Sequence, residues 1–164
     1  MKLIEHIEAF IHPQFYSMTI RVARKEDLEK VLHLEKNSFH GGVGYSASVF
    51  RQILDAAPEL FLVSEEGSEI VGYVCGIPGT TPDTVWILSL AVSPNSRSKG
   101  MARDLCVALR DILKARGVRQ AFLTTRPDNE HMLRLAKSLE CEIIRSEKDY
   151  FEHGEDRLVL KYTF

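Results

Sequence analysis

A chain of 164 residues, 45% hydrophobic and 27% charged, has the size and composition of one globular domain with one core. Its net charge of −2 offers no field to gather nucleic acid or an anionic membrane, and no apolar run approaches the roughly 20 residues of a bilayer span. Cys75, Cys106 and Cys141 are odd in number and far apart, which fits buried thiols in a reducing cytoplasm; no pair has metal-ligand spacing, so no metal is expected.

Residues 1–14 include Glu5, His6 and Glu8 and no clean apolar stretch, so they do not read as a secretion signal. Ile4, Ile7, Phe10 and Ile11 keep helical spacing up to Pro13. Residues 1–17 read as an amphipathic appendage, suited to contacts in a homodimer, before a domain over 18–164. Thr19 to Val22 reads as a strand. Lys25 to Leu28 opens a helix with acid in its first turn, continued by Val31, Leu32 and Glu35. A glycine-rich loop from Phe39 to Tyr45 includes Gly41, Gly42 and Gly44. Ala47 to Ala56 forms a second helix, with Phe50, Ile53 and Leu54 on one face. Strands follow at Leu60 to Val63, Ile70 to Gly76 and Trp86 to Val92. Gly100 to Arg116 carries apolar residues at 102, 105, 109, 112 and 113, a one-sided helix closed by Gly117. Gln120 to Thr125 is a strand. A helix from Asn129 buries Met132, Leu135, Ala136 and Leu139, and strands at Glu142 to Arg145 and Leu158 to Tyr162 finish the chain. The order indicates an α/β (α+β) domain with a mixed sheet flanked by helices.

The stretch richest in information is the apolar strand Leu88 to Val92, a turn, and the small-residue loop Arg97-Ser98-Lys99-Gly100-Met101-Ala102 that opens directly into a helix. Helix N-termini present unpaired N–H groups and the positive end of the macrodipole. Small residues let a polyanion approach that backbone, so the natural ligand is a phosphate or pyrophosphate. Arg97 and Lys99 add positive charge. The loop lacks the Gly-Lys-Ser/Thr ending of a P-loop and the three-glycine dinucleotide fingerprint.

The stretch Arg97-x-x-Gly100-x-Ala102 resembles the acyl-CoA pyrophosphate loop of the GNAT acetyltransferase superfamily, and the likeness runs from about Thr19 to the end. The resemblance implies a mostly antiparallel sheet and acetyl-CoA as cofactor. It implies that the strand at Leu90, Ala91 and Val92 carries a bulge and that its exposed main chain pairs with the pantetheine arm. Ser98, Lys99, Gly100, Met101, Ala102 and Arg103 would cradle the pyrophosphate; the plainer reading is an ordinary helix start. Asn129 to Cys141 resembles the family's Asn-x-x-Ala-x-x-Leu-Tyr helix, which implies a cofactor contact for Asn129; a simple N-cap is compatible with that. Tyr150-Phe151 with Gly154-Glu155-Asp156 is similar to an element of protein N-terminal and ribosomal-protein-type acetyltransferases, where the aromatic pair lines the acceptor groove. Two packed aromatics before a hairpin turn would look the same.

The acid/base positions depart from the pattern. The family's Tyr falls at Ala136, its Glu at Thr124, the Glu of the other N-terminal branch near Gly41, and Gly-Phe is replaced by Glu140-Cys141. Acetyl transfer needs a neutral amine, a donor to the thioester oxygen such as the Val92 N–H, and a proton for the leaving thiolate. An α-amine is roughly 10–20% neutral at pH 7 against about 0.04% for lysine, so a weakly based site suits the α-amine. Tyr150 is the first candidate for a hydroxyl near the thioester. Glu35 is either catalytic or a solvated helix charge, and Tyr45 can cap the acceptor pocket. His131 and His153 are of a residue type suited to proton transfer but sit where histidines are usually bland. Cys106 and Cys141 read as core. The function expected is acetyl-CoA-dependent acetylation of a primary amine, a protein or peptide α-amine first. The alternatives are a small-molecule amine acceptor or a non-catalytic acyl-CoA-binding module.

Overall fold

Two long strands, β3 (Glu69–Pro78) and β4 (Thr84–Val92), form the centre of the sheet in the computed structural model, which describes residues 18–39, 43–97, 99–151 and 154–164. The appendage expected over 1–17, and Gly41, Gly42, Ser98 and His153, lie outside the described residues. The remaining strands are β1 (Met18–Val22), β2 (Phe61–Glu66), β5 (Gln120–Thr125), β6 (Glu142–Glu147) and β7 (Arg157–Thr163). The helices are α1 (Leu28–Ser38), α2 (Ala47–Ala56), α3 (Met101–Ala115) and α4 (Glu130–Ser138). The seven strands lie in the order β1-β2-β3-β4-β5-β7-β6, and every pairing is antiparallel except β4 with β5. That one parallel pair requires a crossover, which α3 supplies.

Each face of the sheet is covered because each helix has one apolar stripe. On one face, Val31 and Leu34 of α1 and Phe50 and Ile53 of α2 pack on Phe61, Val63, Tyr73 and Cys75. On the other, Met101, Leu105, Leu109 and Leu113 form a single i, i+4 row down α3 against Leu62, Val74, Val85 and Ala121. Gly72 permits that approach, since a Cβ there would sit 3.1 Å from both Leu105 and Met101. Gly117, at φ +79°, turns the chain out of α3 with its N–H donating to the Lys114 carbonyl. At the start of α1, Asp27 accepts from the Arg24 N–H at 2.7 Å and from both Arg21 terminal nitrogens at 2.7 and 2.9 Å, and Arg21 also donates to Glu65. The Arg21 guanidinium holds the Asp27 carboxyl below its ordinary range.

Two expectations about burial need correction. Of the α4 stripe only Ala136 and Leu139 are buried; Met132 and Leu135 are half-buried, because the sheet opens beneath the helix and Met132 lines the resulting cavity. Cys106 and Cys141 are half-buried wall residues of that cavity rather than core.

Candidate active site

The opening arises where β4 and β5 part. They pair from Thr84 with Gln120 to Ile87 with Leu123, after which β5 continues with β7 alone. At the same level β4 carries a bulge against β3: Cys75 faces Ser89 and Gly76 faces Ile87, so Leu88 has no partner. Gly76 makes this possible, because a Cβ there would lie 2.6 Å from the Trp86 carbonyl oxygen. The bulge shifts the alternation. Val85, Ile87, Leu90 and Val92 contact the α3 side, whereas Leu88 and Ser89 both face the α1 side.

Main-chain direction follows from the same ladder. The Ser93 N–H donates to Val71 O on the β3 side, so alternation turns the amides of Leu90 and Val92 toward the gap left by β5. The Val92 carbonyl accepts from Arg97 Nε at 3.1 Å on that side. A cavity of about 400 Å³ runs through the gap, with Leu90, Cys106, Asn129 and Met132 toward α3 and α4 and Phe39, Val43, Leu88 and Ser89 toward α1.

Beyond β4 a turn at Pro94–Ser96 leads to Arg97, then to Gly100 at φ +80° and ψ 0°, and Met101 begins α3. The first bond into the helix is Asp104 N–H to Gly100 O at 3.0 Å, so the amides of Met101, Ala102 and Arg103 precede it without an i−4 carbonyl. Met101 buries its side chain while its amide stays in the first turn; Lys99 and Arg103 are exposed. Arg97, expected simply as a charge beside the phosphate, also ties this loop to the end of β4. Asn129 accepts from the Met132 N–H at 3.1 Å and lines the cavity, which makes it the N-cap and leaves its Nδ2 donors for a ligand.

The α1 side is built from side chains. Glu35 is 2% exposed and is therefore no solvated helix charge. Its Oε1 accepts from the Tyr45 N–H at 2.7 Å; its Oε2 accepts from the Tyr73 hydroxyl and, at 3.1 Å, from the Ser89 hydroxyl. The Tyr73 and Ser89 oxygens are 2.8 Å apart. Burial and then the Glu35 charge push the Tyr73 phenol far up, so it stays protonated and donates. Burial raises Tyr45 as well.

Tyr150 and Phe151 meet edge to face at 4.8 Å between centroids. The Arg157 guanidinium lies 5.0 Å from the Phe151 ring centre and pairs with Glu155 at 2.9 Å. Gly154, at φ +82°, donates to Asp149, so the hairpin-turn reading holds alongside any acceptor role.

Residues 20–140 match the sequence model of the acetyltransferase (GNAT) family. This chain is a GNAT-family N-acetyltransferase. An acetyltransferase of Pectobacterium atrosepticum is 33% identical over 128 residues, 77% of this chain and 89% of that protein. The fold is shared with Ard1 of Thermoplasma volcanium (TM-score 0.82, 21% identity, 89% of this chain and 97% of that one). It is shared too with the ribosomal-protein-S18-alanine N-acetyltransferase of Escherichia coli (0.78, 20%, 90% and 94%). Naa50 of Arabidopsis thaliana, in complex with the bisubstrate analogue CoA-Ac-MVNAL, gives 0.79, 18%, 90% and 99%.

Acetyl-CoA is the acyl donor of this GNAT enzyme, and the residues present fit it: a phosphate cradle of main-chain amides and a strand with open amides lead into one cavity. At the two matched acid/base positions, Ala136 is buried and has no functional group, and Thr124 is a cavity wall residue with a hydroxyl but no carboxylate. His131 is exposed on α4 beside Arg134. The cavity thiols are poor nucleophiles, Cys106 pushed up to about 12 and Cys141 to about 11 by burial. Tyr73 and Ser89 were not legible as site residues. The only signal was polarity interrupting apolar strands, a serine between Leu88 and Leu90 that must find a partner once buried.

Proposed function

We propose that this enzyme acetylates the α-amine of a peptide or protein. The acetyl-CoA diphosphate sits on the amides of Lys99 to Arg103, flanked by the Arg97 and Lys99 side chains. The pantetheine arm runs along Leu90, Ala91 and Val92, with Asn129 across the gap. The acceptor enters from the α1 face, where Tyr45, Tyr150 and Phe151 form an aromatic mouth. Tyr150 supplies the hydroxyl that protonates the leaving thiolate.

The observation that carries this reading is the edge-to-face Tyr150–Phe151 pair, held against Arg157, which is itself a wall residue of the cavity. Likeness in fold to the ribosomal-protein-S18-alanine N-acetyltransferase, and to Naa50 in complex with the bisubstrate analogue CoA-Ac-MVNAL, supports it. The chemistry agrees, because among the described residues the cavity wall carries no carboxylate, and Glu35 is buried behind the wall residue Ser89. A site with so indirect a base favours an amine already partly neutral, and an α-amine is neutral at pH 7 several hundred times more often than lysine.

The test is thiol release from acetyl-CoA with a panel of peptides bearing a free α-amine, the same peptides blocked at the N-terminus but carrying lysine, and small amines. The free α-amine peptides are expected to give the highest kcat/KM. Faster turnover of lysine or of small amines overturns the assignment.

A further inference from the structure

We propose that Ser89 is the proton acceptor for the attacking amine, passing its own hydroxyl proton to Glu35, which Tyr73 and the Tyr45 amide hold in place. The proposal rests on the acceptor amine entering from the α1 face, as argued above.

Four observations point the same way. Ser89 lines the cavity where β4 and β5 part, beside the open main chain of β4. Its hydroxyl is 3.1 Å from Glu35 Oε2, and that carboxylate is buried with three donors aimed at it. Strict alternation would put Ser89 on the α3 face beside Ile87; the bulge at Leu88 turns it to the α1 face instead. Gly76 is the residue that lets the strand bulge there. A buried carboxylate costs several kcal/mol of desolvation unless well paired, and one that only anchored α1 would not need a partner exposed to the reaction cavity.

The atoms balance as follows. The amine nitrogen bonds to the acetyl carbon, the carbon–sulfur bond breaks, and its electron pair leaves on sulfur as the thiolate. The surplus proton on nitrogen moves to Ser89 Oγ while the Ser89 proton moves to Glu35 Oε2. The products are an amide, the thiolate (which then takes the Tyr150 proton), an intact serine and a protonated Glu35. That proton returns through Ser89 to water when the product leaves. Tyr73 keeps its proton throughout and fixes Oε2; it is a positioning residue, as is Glu35, because both act through Ser89.

The experiment compares Ser89→Ala, Ser89→Thr, Glu35→Gln and the double variant Ser89→Ala/Glu35→Gln, using the best amine from the panel above. A preference for lysine or small amines would sink the α-amine reading and leave this comparison intact. Ser89→Ala is expected to lower kcat by about 10²-fold, in the range of general-base catalysis, with KM for acetyl-CoA and Tm close to wild type. Ser89→Thr, which keeps the hydroxyl, is expected to recover most of the rate. The double variant should be no slower than the worse single one, since the two groups act as one unit. Unchanged kcat in Ser89→Ala overturns the proposal, as do equal losses in the Ala and Thr variants or losses that multiply in the double. If Glu35→Gln does not fold, the Ala–Thr pair decides alone.

Discussion

The two ends of the cavity are made of different materials. The proposed donor side offers mostly main chain, open amides on β4 and in the first turn of α3, beside one side chain, the Asn129 cap. The acceptor side offers side chains gathered from far apart in sequence, with Glu35 on α1, Tyr73 on β3 and Ser89 on β4 meeting in one hydrogen-bonded cluster. A diphosphate and a pantetheine arm are constant ligands, and backbone amides read them without needing particular side chains. An acceptor differs from enzyme to enzyme and must be oriented and deprotonated, which only side chains can do. Gly76 and the bulge join the two sides, because one irregularity both opens β4 toward β5 and turns Ser89 toward Glu35.

That contrast can be broken at the seam first. Gly76→Val places a Cβ against the Trp86 carbonyl and should cost about 3 kcal/mol, or about 10 °C in Tm, as overpacking against backbone does. Turnover should fall with it. A variant with normal Tm and normal turnover would separate the bulge from the chemistry.

Next is the clamp that carries Glu35. Asp27→Asn weakens the charge-assisted bonds from Arg21 and should cost about 2 kcal/mol at neutral pH. The folded carboxyl is held below its ordinary value, so this stability is complete above about pH 4 and is lost as the pH falls through the folded value. The Tm gap between wild type and variant should therefore narrow as the medium is acidified below pH 4; a widening gap refutes the clamp.

On the donor side alone, Gly100→Val meets nothing within 4 Å but imposes a branched residue at φ +80°. Relief of that strain rotates the amides, and acetyl-CoA affinity measured by calorimetry should drop at least tenfold, about 1.4 kcal/mol. The rate at saturating acetyl-CoA should stay near wild type. Tyr150→Phe is the converse: kcat should fall about tenfold with acetyl-CoA affinity unchanged. Parallel losses in affinity would place Tyr150 with the donor instead. The smallest effect belongs to Asn129→Ala, which removes the cap on Met132 and should cost about 1 kcal/mol in stability, read by thermal melting.

Local pattern carried most of the fold. α2 runs from Ala47 to Ala56 and β5 from Gln120 to Thr125, as the periodicity of their residues implies. The loop into α3 was equally legible, since a glycine at positive φ before an amphipathic helix is a local arrangement. Glu35 drew attention by its place at the end of α1, but its burial and its partners did not, because Tyr73 and Ser89 lie 38 and 54 residues further along. Met132 and Cys141 misled for a related reason: an apolar stripe says that a face is covered, not whether a helix or a cavity covers it.

By itself the chain determined the order of elements, most of their apolar stripes, and the small-residue loop that opens α3, all set by contacts within a few residues. The tertiary structure decided where β4 leaves β5, which face Ser89 takes and what Glu35 touches. Those follow from a one-residue bulge in a strand pairing, and pairing registers depend on partners that no local pattern names.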